Sequence, residues 1–156
     1  MDIKIEKKKA LKVEGVKSDV TKSSNFPKVW DRLVEKVPRE KFEEFGNGQI
    51  FGVVYDYIMD EEDSFIYLAG FDLTDEVKAE ELGLDILSIP EKEYAIVSLE
   101  GPIPKCIHEG WKYIISYFFP KEGYRHDESP DFEVYGDGDP NSEDYKMELW
   151  VPIVKE

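Results

Sequence analysis

Glu148 and Trp150 stand two residues apart in the run Tyr145-Lys146-Met147-Glu148-Leu149-Trp150-Val151-Pro152. On a β-strand that spacing points both side chains to one face. An indole face attracts cations and stacks on planar rings. A carboxylate held among apolar walls is costly unless a cation completes it. The pair therefore suits a flat, apolar, positively charged ligand. Strand alternation adds neighbours. In the preceding strand Phe132 and Val134 read as core residues, which leaves Glu133 and Tyr135 on the side of Glu148. A second chemistry uses the same residues. Glu148, or Glu133, would activate or position a water, a hydroxyl from Tyr55, Tyr67 or Tyr135 would polarise a leaving oxygen, and Trp111 and Trp150 would stack the substrate.

Other groups carry less. One Cys and two His in the whole chain cannot make a zinc site, so no metal and no other cofactor is expected. Cys106 at a helix start is a weak candidate nucleophile. His126, Asp127 and Glu128 read as a solvated loop, and Gly46, Asn47 and Gly48 as a turn rather than a phosphate cradle. The formal net charge of −15 repels phosphate backbones, which argues against direct nucleic-acid binding and favours a cationic small-molecule partner, though acidity also serves solubility. No apolar run is long enough to span a bilayer, no secretory leader stands at the N-terminus and no internal disulfide can form, so a cytoplasmic, membrane-free protein is expected.

The elements that must hold these residues occur twice. The first half reads as a strand over 3–16, then a helix with Phe26, Val29, Trp30, Leu33, Val34 and Val37 on one face, Asn25 as N-cap and Pro38 as stop. Strands over 50–58 and 65–73 follow, joined by an acidic turn at 60–63. The second half has a strand over 94–100, a helix with Ile107, Trp111, Ile114, Ile115 and Phe118 on one face and Pro120 as stop, then strands over 132–135 and 145–154. Residues 74–90 connect the halves, with one short strand at 84–89. Tyr55 and Tyr135 are 80 apart, as are Phe65 and Tyr145, and Trp30 and Trp111 are 81 apart. Order and spacing together indicate a duplication: pseudo-repeats 1–73 and 84–156 within a single domain over 1–156.

A β-α-β-β unit alone exposes too much apolar surface. The fold class expected is therefore α+β: two such units forming one mainly antiparallel sheet, two helices on one face, and a ligand cleft on the other at the join. Tyr145, Met147, Leu149 and Val151 would pack on the helices. By the offset of 80, Val53, Tyr55, Ile66 and Leu68 join Glu148, Trp150, Glu133 and Tyr135 at the cleft, with Tyr67 and Trp111 as further aromatic walls.

The final strand, with Pro152-Ile153 after the indole, resembles that of GyrI-like small-molecule-binding domains. Phe132-Glu133-Val134-Tyr135 followed by Asp139-Pro140 resembles that family's penultimate strand and turn. Ile89-Pro90, Tyr94-Ala95-Ile96-Val97 and Gly101 resemble its central segment, and Phe119-Pro120 with Gly123-Tyr124 the exit from its second helix. Phe118 and Phe119 stand near a position where the family often has Trp. The family serves as the effector-binding domain of multidrug-responsive transcription activators, where a buried Glu in the final strand meets bulky aromatic cations. The resemblance assigns that part to Glu148. No helix-turn-helix segment flanks the domain here, so the stand-alone type is expected. Within that type the resemblance implies three functions: binding of hydrophobic, often cationic, compounds for xenobiotic sensing or sequestration; hydrolysis of cyclopropane-bearing DNA-alkylating natural products; or a gyrase-inhibitor-like role with a protein partner.

Overall fold

The computed structural model describes residues 1–21, 23–44, 49–58 and 63–156. The turn expected at Gly46, Asn47 and Gly48 lies outside the described residues, as does all of the 60–63 turn except Asp63. The fold is α+β, and the chain divides into two compact units. The terminal unit comprises Met1–Lys9 and Glu91–Glu156, and the central unit Ala10–Pro90.

The terminal unit holds β1 (Ile3–Lys8), β6 (Lys92–Glu100), β7 (Tyr124–His126), β8 (Asp131–Tyr135) and β9 (Lys146–Lys155). Its strands run in the order β1-β6-β9-β8, and β7 pairs with the end of β9. Every one of these pairings is antiparallel. Helix α3 (Lys105–Tyr113) follows β6, widens into a π turn at Ile114–Phe118 and continues as α4 (Phe119–Glu122). Cys106, Ile107, Ile114 and Phe118 press onto Ala95, Val97, Leu149 and Val151, with Tyr145 and Met147 in the same cluster. The face expected for the last strand is thus the face observed. Pro120 does not end the helix as expected. It occupies the first turn of α4, where a missing N–H is tolerated, and Gly123 ends the helix in the left-handed conformation that glycine adopts without strain.

The central unit holds β2 (Leu11–Thr21), α1 (Phe26–Lys36), β3 (Ile50–Ile58), β4 (Ser64–Asp72), α2 (Glu76–Glu81) and β5 (Asp85–Ile89). Its strands run β3-β4-β2-β5, again all antiparallel. Val29 and Leu33 of α1 pack on Val16, Tyr67, Ala69 and Phe71. Asn25 occupies the N-cap position, but its backbone carbonyl rather than its side chain accepts from Lys28. Helix α2 was not anticipated. Its N-cap, Asp75, accepts a 3.1 Å hydrogen bond from the Lys78 N–H.

The expected strand 3–16 is two strands, broken at Lys9-Ala10. β1 pairs with β6 and β5 with β2, so each short strand pairs outside the half in which the sequence places it. The compact units therefore change at 9/10 and 90/91 rather than in the 74–83 connection.

The register also corrects the repeat offset. Gly52 faces Ala69 in the central unit, and Glu133 faces Leu149 in the terminal unit. Ala69 to Leu149 is 149 − 69 = 80, whereas Gly52 to Glu133 is 133 − 52 = 81. Between these pairs the terminal hairpin is one residue shorter (149 − 133 = 16 against 69 − 52 = 17), and β3 carries a bulge between Tyr55 and Ile58. Because side chains alternate, a one-residue slip turns every side chain of that strand to the other face.

Candidate functional site

Register decides which side chains of the terminal unit share a face. Leu149 and Val97 face the helix, and Glu133 is the β8 partner of Leu149. On the far face, away from α3, Trp150 lies between Phe132 and Ile96, and Glu148 lies between Val134 and Ser98. Glu148 and Trp150 thus share a face as their spacing predicts. The indole Nε1–H of Trp150 donates to Oε1 of Glu148 at 3.1 Å. That bond fixes the carboxylate at the edge of the ring and leaves its second oxygen for another donor. Glu148 is half-buried and Trp150 is 6% exposed.

Two further rings, both fully buried, pack behind the indole. The centroids of Phe132 and Tyr94 lie 5.5 and 6.1 Å from that of Trp150, tilted by 43° and 51°. Tyr94 and Phe132 meet each other edge-on at 6.1 Å. The Tyr94 hydroxyl is buried and has no hydrogen-bond partner among the described residues. Burial, with help from the charges of Asp127 and Asp131, pushes this phenol up to about 12. A raised folded-state value means the neutral form stabilises the fold, so that contribution is intact below the ordinary phenol range and is lost as pH rises through about 12. Tyr94→Phe should therefore unfold at higher pH than the wild type in an alkaline titration followed by circular dichroism. Coincident curves would contradict this.

Several expected site residues lie elsewhere. Phe132 and Val134 are buried as expected, but on the side of Glu148. Glu133 and Tyr135 lie on the helix face instead, and the Tyr135 hydroxyl donates to Glu133 Oε1 at 2.5 Å. The cause is that the apolar Phe132 and Val134 face away from the helix, which turns their neighbours toward it. Trp111 belongs to α3 and packs in the helix-side cluster, 6.4 Å from the His126 ring, so it too is remote from the Glu148 face. In the central unit Val53 faces Leu68 and Tyr55 faces Ile66, all four on the far face of that sheet as predicted. Leu68 is fully buried, and burial followed by the charges of Asp56, Asp85 and Asp19 raises the Tyr55 phenol. Tyr67 is on the opposite face, against Phe26 and Trp30 of α1. Neighbours in a strand such as Tyr67 and Leu68 cannot share a face.

The two units are not equivalent. By the register, Leu68 stands in the central sheet where Glu148 stands in the terminal one. Gly70, opposite Gly15, stands where Trp150 faces Ile96. The acid and the indole are thus unique to the terminal unit. A broad depression of about 710 Å3 in the central unit, lined by Leu11, Lys12, Asp72 and Ser88 among others, contains none of the expected ligand-binding residues.

The remaining chemistry is structural. Cys106 is 2% exposed, and burial pushes its thiol up, which suppresses the thiolate a nucleophile needs. Asp127 pairs with Lys92 at 3.0 Å and accepts from the Ser129 N–H. His126 bonds Asp131 at 2.7 Å, and its Nδ1 accepts from the Glu128 N–H. This loop is a closed hydrogen-bonded turn rather than the solvated one expected. Among the described residues no group of three or more His, Cys, Asp or Glu could hold a metal ion, and no helix is long and apolar enough to cross a membrane. Tyr94 and Lys8 also lie on the Trp150 face, where neither was expected. The alternation of Lys4, Glu6 and Lys8 with Ile3 and Ile5 was the available signal for Lys8.

The GyrI-like small-molecule-binding domain model matches residues 1–154. The chain belongs to this family. Solved structures share the fold at low identity. SAV2435, solved bound to tetraphenylphosphonium, superposes with a TM-score of 0.79 at 19% identity, covering 99% of this chain and 94% of that one. The C-terminal domain of EcmrR gives 0.66 at 15%, covering 99% and 98%. A hydrolase encoded by lin2189 from Listeria innocua gives 0.58 at 16%, covering 97% and 92%. No curated protein matches the chain. As a GyrI-like domain, the chain is a small-molecule binder, and its acid–indole pair lies on the strand to which the sequence had assigned it.

Proposed function

We propose that this GyrI-like chain binds bulky aromatic cations at the far face of the terminal sheet, with Glu148 as countercharge and Trp150 as the aromatic contact, backed by the buried rings of Phe132 and Tyr94, in xenobiotic sensing or sequestration. The observation that carries the reading is the half-buried Glu148 carboxylate held against the Trp150 indole by a 3.1 Å hydrogen bond. A cation docked there gains both a cation–π contact and an opposite charge of low solvation. The net charge of −15 raises the local concentration of such ligands. The tetraphenylphosphonium bound to the similarly folded SAV2435 is a ligand of the expected type.

The hydrolytic alternative needs a phenol hydroxyl beside the carboxylate. Of the phenols expected to assist, Tyr135 is bonded to Glu133 on the helix face and Tyr67 packs against α1, so neither accompanies the carboxylate. The acid–indole pair supports binding.

Titration calorimetry with tetraphenylphosphonium tests it. Glu148→Gln keeps the shape and removes the charge, and should weaken binding about tenfold or more, the scale of a lost charge-assisted contact. A neutral aromatic compound should bind both proteins alike. Equal affinity of wild type and variant for the cation would refute the role of Glu148, and a hydrated product detected by mass spectrometry would return the hydrolase.

A further inference from the structure

The Trp150 ring already carries a cation. Lys8, near the end of the β1 edge strand, places its Nζ 4.5 Å from the centroid of the Trp150 ring. Phe132 and Ile96 flank Trp150 on the two neighbouring strands. A flat ligand that stacks on the indole takes the place the ammonium occupies. We infer that Lys8 is a built-in competitor for the cation site, an intramolecular cation that an organic cation must displace, and that it thereby sets the threshold and the charge selectivity of binding. This inference rests on the reading that ligands stack on Trp150.

The neighbourhood shows how Lys8 can leave. Lys8 and Glu6 lie two apart on β1 and so share a face, with Lys8 Nζ 3.6 Å from Glu6 Oε2. Lys4 Nζ lies 3.6 Å from the same oxygen. An ammonium that swings off the ring keeps Glu6 as its counter-ion, so release breaks the ring contact without stranding a charge. The Lys8 side chain is 28% exposed, which gives it a solvent-side path. Lys92, its register partner, is differently placed, because its ammonium is held 3.0 Å from the largely buried Asp127 carboxylate. Of these two lysines on the far face, Lys8 is the one poised to move.

Two variants carrying the same change of net charge test the inference. Lys8→Met keeps the side-chain length and removes the ring-bound charge. Lys7→Met removes a charge one residue away, on the opposite face of the same strand, so it controls for the general electrostatic effect. Each is titrated with tetraphenylphosphonium and with its anionic isostere tetraphenylborate, alongside wild type and Glu148→Gln, after urea melts establish that all are folded. Lys8→Met should bind the cation about fivefold more tightly than wild type, the factor expected for release from a competing cation–π contact, and should bind the anion more weakly. Lys7→Met should change either by less than about twofold, as expected of an exposed, screened charge. If Glu148→Gln weakens the cation while Lys8→Met and Lys7→Met behave alike, the competitor inference falls and the binding reading stands. If Lys8→Met tightens the cation and Glu148→Gln has no effect, Lys8 is upheld and the role of Glu148 falls. Cation binding by Lys8→Met alone would also uphold the inference, and no binding by any variant would overturn both.

Discussion

Gly70→Ala should cost the fold about 3 kcal/mol or more, the upper range for forcing atoms into a packed site. Gly70 of β4 faces Gly15 of β2. A Cβ on Gly70 would lie 1.9 Å from the Glu14 carbonyl oxygen, and one on Gly15 would lie 2.1 Å from that of Ala69. Both obstacles are backbone, so no side chain can swing away. The strands must separate, breaking the longest ladder of the central unit. Urea unfolding followed by circular dichroism reads the effect directly, as a lower midpoint with an unchanged slope. Gly138→Ala provides the comparison. No heavy atom lies within 4 Å of a Cβ built there, so its only penalty is the positive φ of its backbone, and it should cost markedly less. Equal effects would contradict the steric account.

The second large effect is a gain. Glu14 is fully buried on the helix side of the central sheet, opposite Phe71. One of its oxygens accepts from the Thr74 N–H at 3.3 Å, and the other has no hydrogen-bond partner among the described residues. The corresponding position in the terminal unit, reached by the offset of 81, is Ala95, where no polar group has to be satisfied. Burial raises the Glu14 carboxyl above its ordinary 4.5. The Thr74 bond opposes that shift, and Asp75 and Asp72 add to it. Since the folded-state value is raised, the stabilising contribution of the protonated form is complete below 4.5 and disappears as pH rises through the folded-state value. The ionised Glu14 is thus poorly solvated in the fold. Glu14→Gln keeps the acceptor for Thr74 and removes that charge. It should stabilise the protein at pH 7 by about 2 kcal/mol, on the scale of an unsatisfied buried group. The gain should shrink as pH falls below the folded-state value. A variant no more stable than wild type at pH 7, or a gain independent of pH, would show that Glu14 is satisfied in a way the geometry does not reveal.

The sequence was informative where periodicity and chemistry coincided. The two amphipathic helices carry their apolar residues at helical spacing, and both are present. The last strand alternates cleanly between Met147, Leu149 and Val151 on one side and Glu148 and Trp150 on the other, so its face could be read without its neighbours. β8 could not be read in that way. Phe132 and Val134 are buried, but burial does not say against which face, and hydrophobicity alone assigned them to the helix. That assignment turned Glu133 and Tyr135 to the wrong side, and the matching tyrosines at 55 and 135 gave an offset, wrong by one on that strand, that agreed with it. The break between β1 and β2 was hidden because Lys7, Lys8 and Lys9 interrupt the alternation without a Gly or Pro to mark a turn. The pairings of β1 with β6 and of β5 with β2 join segments distant in sequence, and no local pattern encodes them.

The central claim is that an organic cation docks against Glu148 and Trp150, and the indole N–H that joins them is its most direct reporter. The chain has three tryptophans, so a proton–nitrogen spectrum shows three indole signals, and Trp150→Phe identifies the one that belongs to Trp150. Titration with tetraphenylphosphonium should move that signal in a saturable way, because the ligand competes for the carboxylate that accepts its hydrogen bond. The signals of Trp30 and Trp111, both packed on the helix side of their sheets, should stay within the scatter of the spectrum. Saturable binding that leaves the Trp150 signal in place while another indole shifts would put the ligand elsewhere and contradict the account.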